Sequence, residues 1–180
     1  MPARFPEPWL SFLRDVDRAL SQPVEIRCIG GFVLLVMWEI PRATGDVDFI
    51  DIDPEGADED LLSIAGEDTE LWKRYKLKFQ RVTVADVPEG YAARLSNITP
   101  PSFQRLHLRA LEVHDLVLTK LGRFKPVDRQ DITFLVNAGA LDRGVLERRF
   151  EEEVRPYVLD EPRVTANMKL CLDECFGAGR

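Results

Sequence analysis

The stretch Asp46-Val47-Asp48-Phe49-Ile50-Asp51-Ile52-Asp53 constrains this chain more than any other. Acidic and apolar side chains alternate along it, which predicts a β-strand with one face in a core and the other in water. Val47, Phe49 or Ile50, and Ile52 are available to that core. Asp46 and Asp48, at i and i+2, point the same way. Carboxylates this close repel one another unless a cation lies between them. By spacing alone the pair is either a cation site or a solvated acidic face. Asp51 and Asp53 continue the alternation, as the second alternative requires.

What precedes the strand adds chemistry to it. Val24 to Ile29 reads as another strand, Gly30-Gly31 follows directly, and Phe32 to Ile40 is apolar enough for a buried helix that Pro41 stops. Glycines opening a helix offer bare N–H groups at the positive end of a dipole, which suits a phosphate. They also suit a tight turn with unusual backbone angles. Magnesium takes oxygen ligands, commonly one or two carboxylates plus substrate phosphates. A strand, Gly-Gly, a helix and then Asp-x-Asp therefore set a phosphate site beside a metal site. Arg42 and Thr44, in the loop between, either organise that loop or touch the substrate.

Around this segment, apolar spacing predicts a helix over Trp9 to Leu20 and another over roughly Asp58 to Tyr75. Val82 to Val87 is the third strand candidate and Phe103 to Val113 the fourth. From His114 onward the pattern is helical, with Asp142 as an N-cap and a last helix from about Val164 to Phe176 ending at Gly177 and Gly179. The fold class is α/β (α+β): a small mixed β-sheet with flanking helices, followed by a C-terminal helical region. The expected division is residues 1–113 and 114–180, packed as one unit. A net charge of -7 argues against a broad nucleic-acid footprint, although Lys73 to Arg81 and Lys120 to Arg129 are locally basic. Three cysteines without a CxxC pair read as ordinary reduced thiols. The longest apolar run, Phe32 to Trp38, is too short to cross a bilayer, and no secretory pattern opens the chain, so a cytoplasmic protein without membrane contact is expected.

Two blocks carry a family resemblance. The first is Gly30-Gly31 followed by Arg42-x-Thr44-x-Asp46-x-Asp48. The second is His114-Asp115-Leu116-Val117-Leu118-Thr119-Lys120-Leu121-Gly122-Arg123 with Asp128-Arg129-Gln130-Asp131-Ile132. Together they resemble the DNA polymerase beta-like nucleotidyltransferase superfamily, and especially its AbiEii-type toxins and related bacterial families. The resemblance implies the nucleotidyltransferase fold and two-metal transfer of a nucleoside monophosphate from an NTP to an acceptor, RNA (a tRNA, for example) or protein. It implies that Gly30 and Gly31, with Arg42 and Thr44, meet the triphosphate, and that Asp46 and Asp48 bind Mg2+ (or Mn2+). Lys120 would reach phosphate or developing charge, assisted by Arg123. Asp86 would be the third carboxylate, on a later strand, that completes the metal set and activates the attacking hydroxyl. A cognate antitoxin would be the partner of such a toxin. Two other functions fit the same residues: an inactive binding or antitoxin-like module, and an enzyme acting on a small molecule. Lys120 and Arg123, one helical turn apart, also fit a solvated basic face.

Overall fold

The alternating segments become the centre of a five-stranded mixed sheet. The computed structural model describes residues 3–177, so Gly179, the second expected stop of the last helix, lies outside the described residues. The chain divides into two compact units, Met1–Val84 with Leu95–Leu111, and Ala85–Arg94 with Glu112–Arg180. No helix among the described residues is long and apolar enough to cross a membrane.

The first unit holds the whole sheet: β1 (Val24–Ile29), β2 (Asp46–Asp53), β3 (Lys78–Arg81), β4 (Ser96–Asn97) and β5 (Leu106–Ala110), in the order β3-β2-β1-β5-β4. β1 runs antiparallel to β2 and parallel to β5, so the sheet is mixed, as expected. Helices α1 (Trp9–Ala19), α2 (Gly30–Trp38), α3 (Ala57–Ala65) and α4 (Glu70–Tyr75) complete the unit. The inward residues of β2 and β3 meet a buried aromatic cluster. Phe79 lies 5.9 Å from Phe12 and 6.4 Å from Phe49, and Trp9 lies 5.0 Å from Phe32. The helix expected over Asp58 to Tyr75 is broken in two. Gly66 leaves helical geometry, and Thr69 starts α4 afresh by accepting the Trp72 N–H at 3.2 Å.

A β-bulge explains why Phe49 and Ile50 compete for the core. Arg27 pairs with Asp51 and Cys28 with Phe49, so Ile50 has no partner across the ladder. The extra residue restores the phase: Val47, Phe49 and Ile52 are buried while Asp46, Asp48, Asp51 and Asp53 stay on the wetter side. The same bulge sets the end of β3. Its register with β2 runs only from Asp46↔Lys78 to Phe49↔Arg81, and the Val82 N–H to Phe49 carbonyl bond is the last rung. Val82 to Val87 is therefore not a strand. Val84 stands exposed beyond that last rung. The real third strand was hard to see because Phe79 is its one buried side chain. Charged neighbours are usual on such an edge, where they discourage strand addition.

Asp17 ties α1 to β5. Its Oδ1 accepts backbone N–H groups from Gln104, Arg105 and Leu106 at 3.0, 2.7 and 2.8 Å. Asp17→Ala leaves those donors without their acceptor, and the one in a buried residue, the Leu106 N–H, costs roughly 1–3 kcal/mol when unmet. Urea titration of this variant is expected to show a loss of about 1–3 kcal/mol; a loss below about 0.5 kcal/mol would remove Asp17 from that role.

The second unit is helical, as expected from His114 onward: α5 (Val113–Leu118), α6 (Pro126–Asn137), α7 (Arg143–Arg149) and α8 (Glu161–Cys175), with residues 85–94 folded into it. A π-helical turn, Phe150–Val154, continues α7. Asp142 caps α7, as its sequence position suggests, accepting from the Val145 N–H at 2.8 Å. At the centre lies Asp115, fully buried between two guanidinium groups. Arg94 grips it through two bonds of 2.8 and 3.0 Å, and Arg149 donates at 2.8 Å. Arg94 also holds Glu153, at 2.6 Å, and Arg149 also pairs with Glu112.

Burial pushes the Glu112 carboxyl up, but hydrogen bonds from His114 and Arg149 outweigh it and bring the pKa down to about 2. A folded pKa below the unfolded value of about 4.3 means this group stabilises the protein above that value. The contribution is lost as pH falls towards 2. Urea unfolding followed down through this window is expected to show a falling stability, and Glu112→Gln to show a shallower fall. Identical pH slopes would exclude Glu112 as a source.

A candidate phosphate and metal site on the central sheet

The turn from β1 into α2 brings the first sequence block together. Ile29 is extended, in register with Asp48, and Gly30 turns the chain at φ +76°. A Cβ at Gly30 would lie 2.5 Å from Asp48 Oδ2, closer than a real Cβ tolerates. Glycine is required here twice over, by the left-handed backbone and by the carboxylate against it. A Cβ at Gly31 would meet Arg42 Nη2 at 2.9 Å and Thr44 Oγ1 at 3.0 Å. Thr44 in turn donates to Asp46 Oδ1 at 3.2 Å. Gly30, Gly31, Arg42, Thr44, Asp46 and Asp48 thus converge within one unit, although up to 18 positions separate them in the chain.

The arrangement has the chemistry that a divalent cation and a phosphate need. Asp46 and Asp48 supply hard oxygen atoms from one face of β2, next to the glycine backbone that begins α2. No group of three or more His, Cys, Asp or Glu suited to hold a metal occurs among the described residues. A magnesium ion here would fit the pattern of two protein carboxylates with phosphate oxygens and water around them. Across the ladder, β3 brings Lys78 into register with Asp46 and Gln80 with Asp48, so neither position carries a carboxylate. Behind the turn lies Cys28, its thiol pushed up by complete burial and further by the charge of Asp48.

The remaining expected site residues belong to the second unit. Asp86 lies in residues 85–94, off any strand, with Oδ2 2.8 Å from where a Gly122 Cβ would stand. Lys120 is 3% exposed, its Nζ donating to Asp128 Oδ1 at 3.0 Å and Asp131 Oδ2 at 2.9 Å. It is not part of a solvated basic face. Arg123 binds Asp128 through two bonds of 3.0 Å, and the Lys125 N–H adds a third at 3.0 Å. Burial alone would raise the Asp128 carboxyl. The Lys120 charge and the hydrogen bonds from Arg123 and Lys120 hold it below the usual range instead. Sequence reading missed that Asp128 and Asp131 are the partners of Lys120. The signal for it was their i, i+3 spacing in the first turns of α6, which puts both on one face. Arg129, between them, points elsewhere and pairs with Glu174 at 3.1 Å.

Gly30→Ala tests the cradle directly. The left-handed angle costs a residue with a Cβ roughly 1–3 kcal/mol, and the methyl group also displaces the Asp48 carboxylate. Lower stability together with weaker magnesium-dependent NTP binding is expected from urea titration and equilibrium dialysis. Unchanged binding would show that Asp48 need not lie against Gly30.

A family model described as "Nucleotidyltransferase of unknown function (DUF6036)" matches residues 12–174. No curated protein and no solved structure matches. The matched span runs from the first helix into the last and takes in every residue named above from Gly30 to Arg123. On that match the chain belongs to this nucleotidyltransferase family.

Proposed function

We propose that this chain transfers a nucleoside monophosphate from an NTP to an acceptor, RNA or protein, with Mg2+ or Mn2+ held by Asp46 and Asp48. The observation that carries this is the approach of Asp48 Oδ2 to the Gly30 backbone, which sets a carboxylate beside the start of α2. Amides at that helix start and the Arg42 guanidinium over Gly31 receive the triphosphate oxygens. Thr44 holds Asp46 in place through its hydroxyl. A divalent cation bound there would supply Lewis-acid activation of the phosphate under attack. The resemblance to AbiEii-type toxins makes a toxin with a cognate antitoxin the favoured biological setting.

Two observations favour other readings. Gln80 and Lys78, rather than a carboxylate, stand in register with the aspartate pair, which suits a module that binds NTP without turnover. A cleft of about 400 Å³ lined by Arg27, Asp51, Asp53, Glu55, Asp58 and Arg81 lies further along β2, which suits a small polar acceptor. One experiment separates the three. Labelled NTPs and magnesium are incubated with total cellular RNA, protein or small molecules, comparing wild type with Asp46→Asn. Label in RNA or protein that Asp46→Asn loses supports the proposal. Magnesium-dependent NTP binding without transfer supports the binding module, and label confined to small molecules supports the third reading. Equal labelling by both proteins sinks the site itself.

A further inference from the structure

The second unit contains a nucleophile that the proposed transfer does not use. Helices α6 and α8 pack together and leave a cavity of about 540 Å³, lined by Thr133, Val136 and Asn137 from one side and Glu174, Cys175 and Phe176 from the other. Cys171 lies one helical turn before Cys175 and is fully buried, whereas Cys175 keeps slight exposure at the cavity wall. The Cys175 thiol reaches the Arg129 carbonyl at 3.8 Å, and the Arg129 Nε is buried with no hydrogen-bond partner. The charged groups facing this sulfur are Arg129 and Glu174, which pair with each other.

We propose that Cys175 is the oxidant-reactive thiol of this chain, that the cavity admits a small peroxide to it, and that Cys171 is its resolving partner. The Cys175 thiolate attacks one peroxide oxygen. The S–O bond forms, the O–O bond breaks, and hydroxide leaves; sulfur is oxidised by two electrons and the peroxide reduced. The Cys171 sulfur then attacks the Cys175 sulfenic acid. An S–S bond forms, the S–O bond breaks, and water departs with the Cys171 proton. The neighbouring Cys171 holds the Cys175 thiol below the usual thiol range, assisted by Thr133 and Arg129 against burial and the charge of Glu174. The other two thiols are both pushed up, Cys171 by the neighbouring Cys175 and by burial, and Cys28 by burial.

The disulfide requires a local opening. Cβ atoms four apart on an intact helix are about 5–6 Å from each other, wider than the roughly 3.5–4.5 Å of a disulfide. The terminal turn of α8 is where this is easiest. Its last bond, from the Phe176 N–H to the Leu172 carbonyl, is long at 3.3 Å, and Gly177 follows at φ +73°. Oxidation therefore unwinds the end of α8.

The test is intact-mass spectrometry of the full chain after equimolar hydrogen peroxide at neutral pH, with dimedone as the sulfenic-acid trap. Wild type is expected to become lighter by two hydrogen atoms, reversibly with a thiol reductant. Cys171→Ser is expected to give a dimedone adduct mapping to Cys175, and Cys175→Ser to keep its mass. Retention of all three thiols by wild type, or an adduct on Cys28, overturns the proposal. Should either variant fail to fold, iodoacetamide labelling of wild type decides. Cys175 is expected to react at least about tenfold faster than Cys28, and equal rates reject the idea.

Discussion

Asp48→Asn is expected to abolish nucleotide transfer while leaving the fold in place. Asparagine keeps the shape of the side chain and one oxygen, so it still fits against Gly30 and the Ile29↔Asp48 pairing survives. What it loses is the charge that a divalent cation needs. Metal-based stabilisation of a transferring phosphoryl group is worth several kcal/mol, and each 1.36 kcal/mol is about tenfold in rate. A drop of about a thousandfold or more follows, with the urea midpoint nearly unchanged. Asp51→Asn is the control. Asp51 lies on the same strand beyond the bulge and pairs with Arg27. If the whole acidic edge of β2 were merely solvated charge, the two variants would behave alike. Transfer by Asp48→Asn within tenfold of wild type would end the proposal.

The contrast between these two aspartates shows what the sequence could reveal. β1 and β2 were legible to the residue because their alternation is strong and both lie in the middle of the sheet. The convergence of Gly30, Gly31, Arg42, Thr44, Asp46 and Asp48 was legible because each is local to a single strand–helix–strand unit. β3 was not, since an edge strand with one buried phenylalanine carries almost no periodic signal. The bulge at Ile50 left a trace, two adjacent apolar residues in an otherwise alternating run, but its effect on β3 needed the pairing register. Asp17 was invisible for another reason. Its partners lie 87 to 89 positions away, and they are backbone groups with no sequence signature. The Lys120 block sits between these cases. Its residues stood out as a motif, yet only the folded α6 shows that Asp128 and Asp131 turn inward onto the lysine.

That inward cluster yields the largest expected change in stability. Lys120→Met keeps the length and apolar stem of the side chain but removes the ammonium shared by two fully buried carboxylates. Removing one partner of a buried ion pair costs about 3–5 kcal/mol, because the remaining charge is left without its counterion in a poor solvent for it. Arg123 still engages Asp128. The pH dependence separates this from a simple packing defect. In wild type the Asp128 carboxyl is held below its usual range, so its contribution is present above the unfolded carboxylate pKa and is lost as pH falls. In Lys120→Met the Asp128 carboxyl loses the Lys120 charge that lowers it and is expected to have a raised value. Protonation of Asp128 then relieves it, and the stability difference from wild type should shrink as pH falls through the carboxylate range. Urea titrations of both proteins at several pH values measure this. A Lys120→Met variant within about 1 kcal/mol of wild type, or a difference that stays constant with pH, would mean that Lys120 does not hold this unit together through its charge.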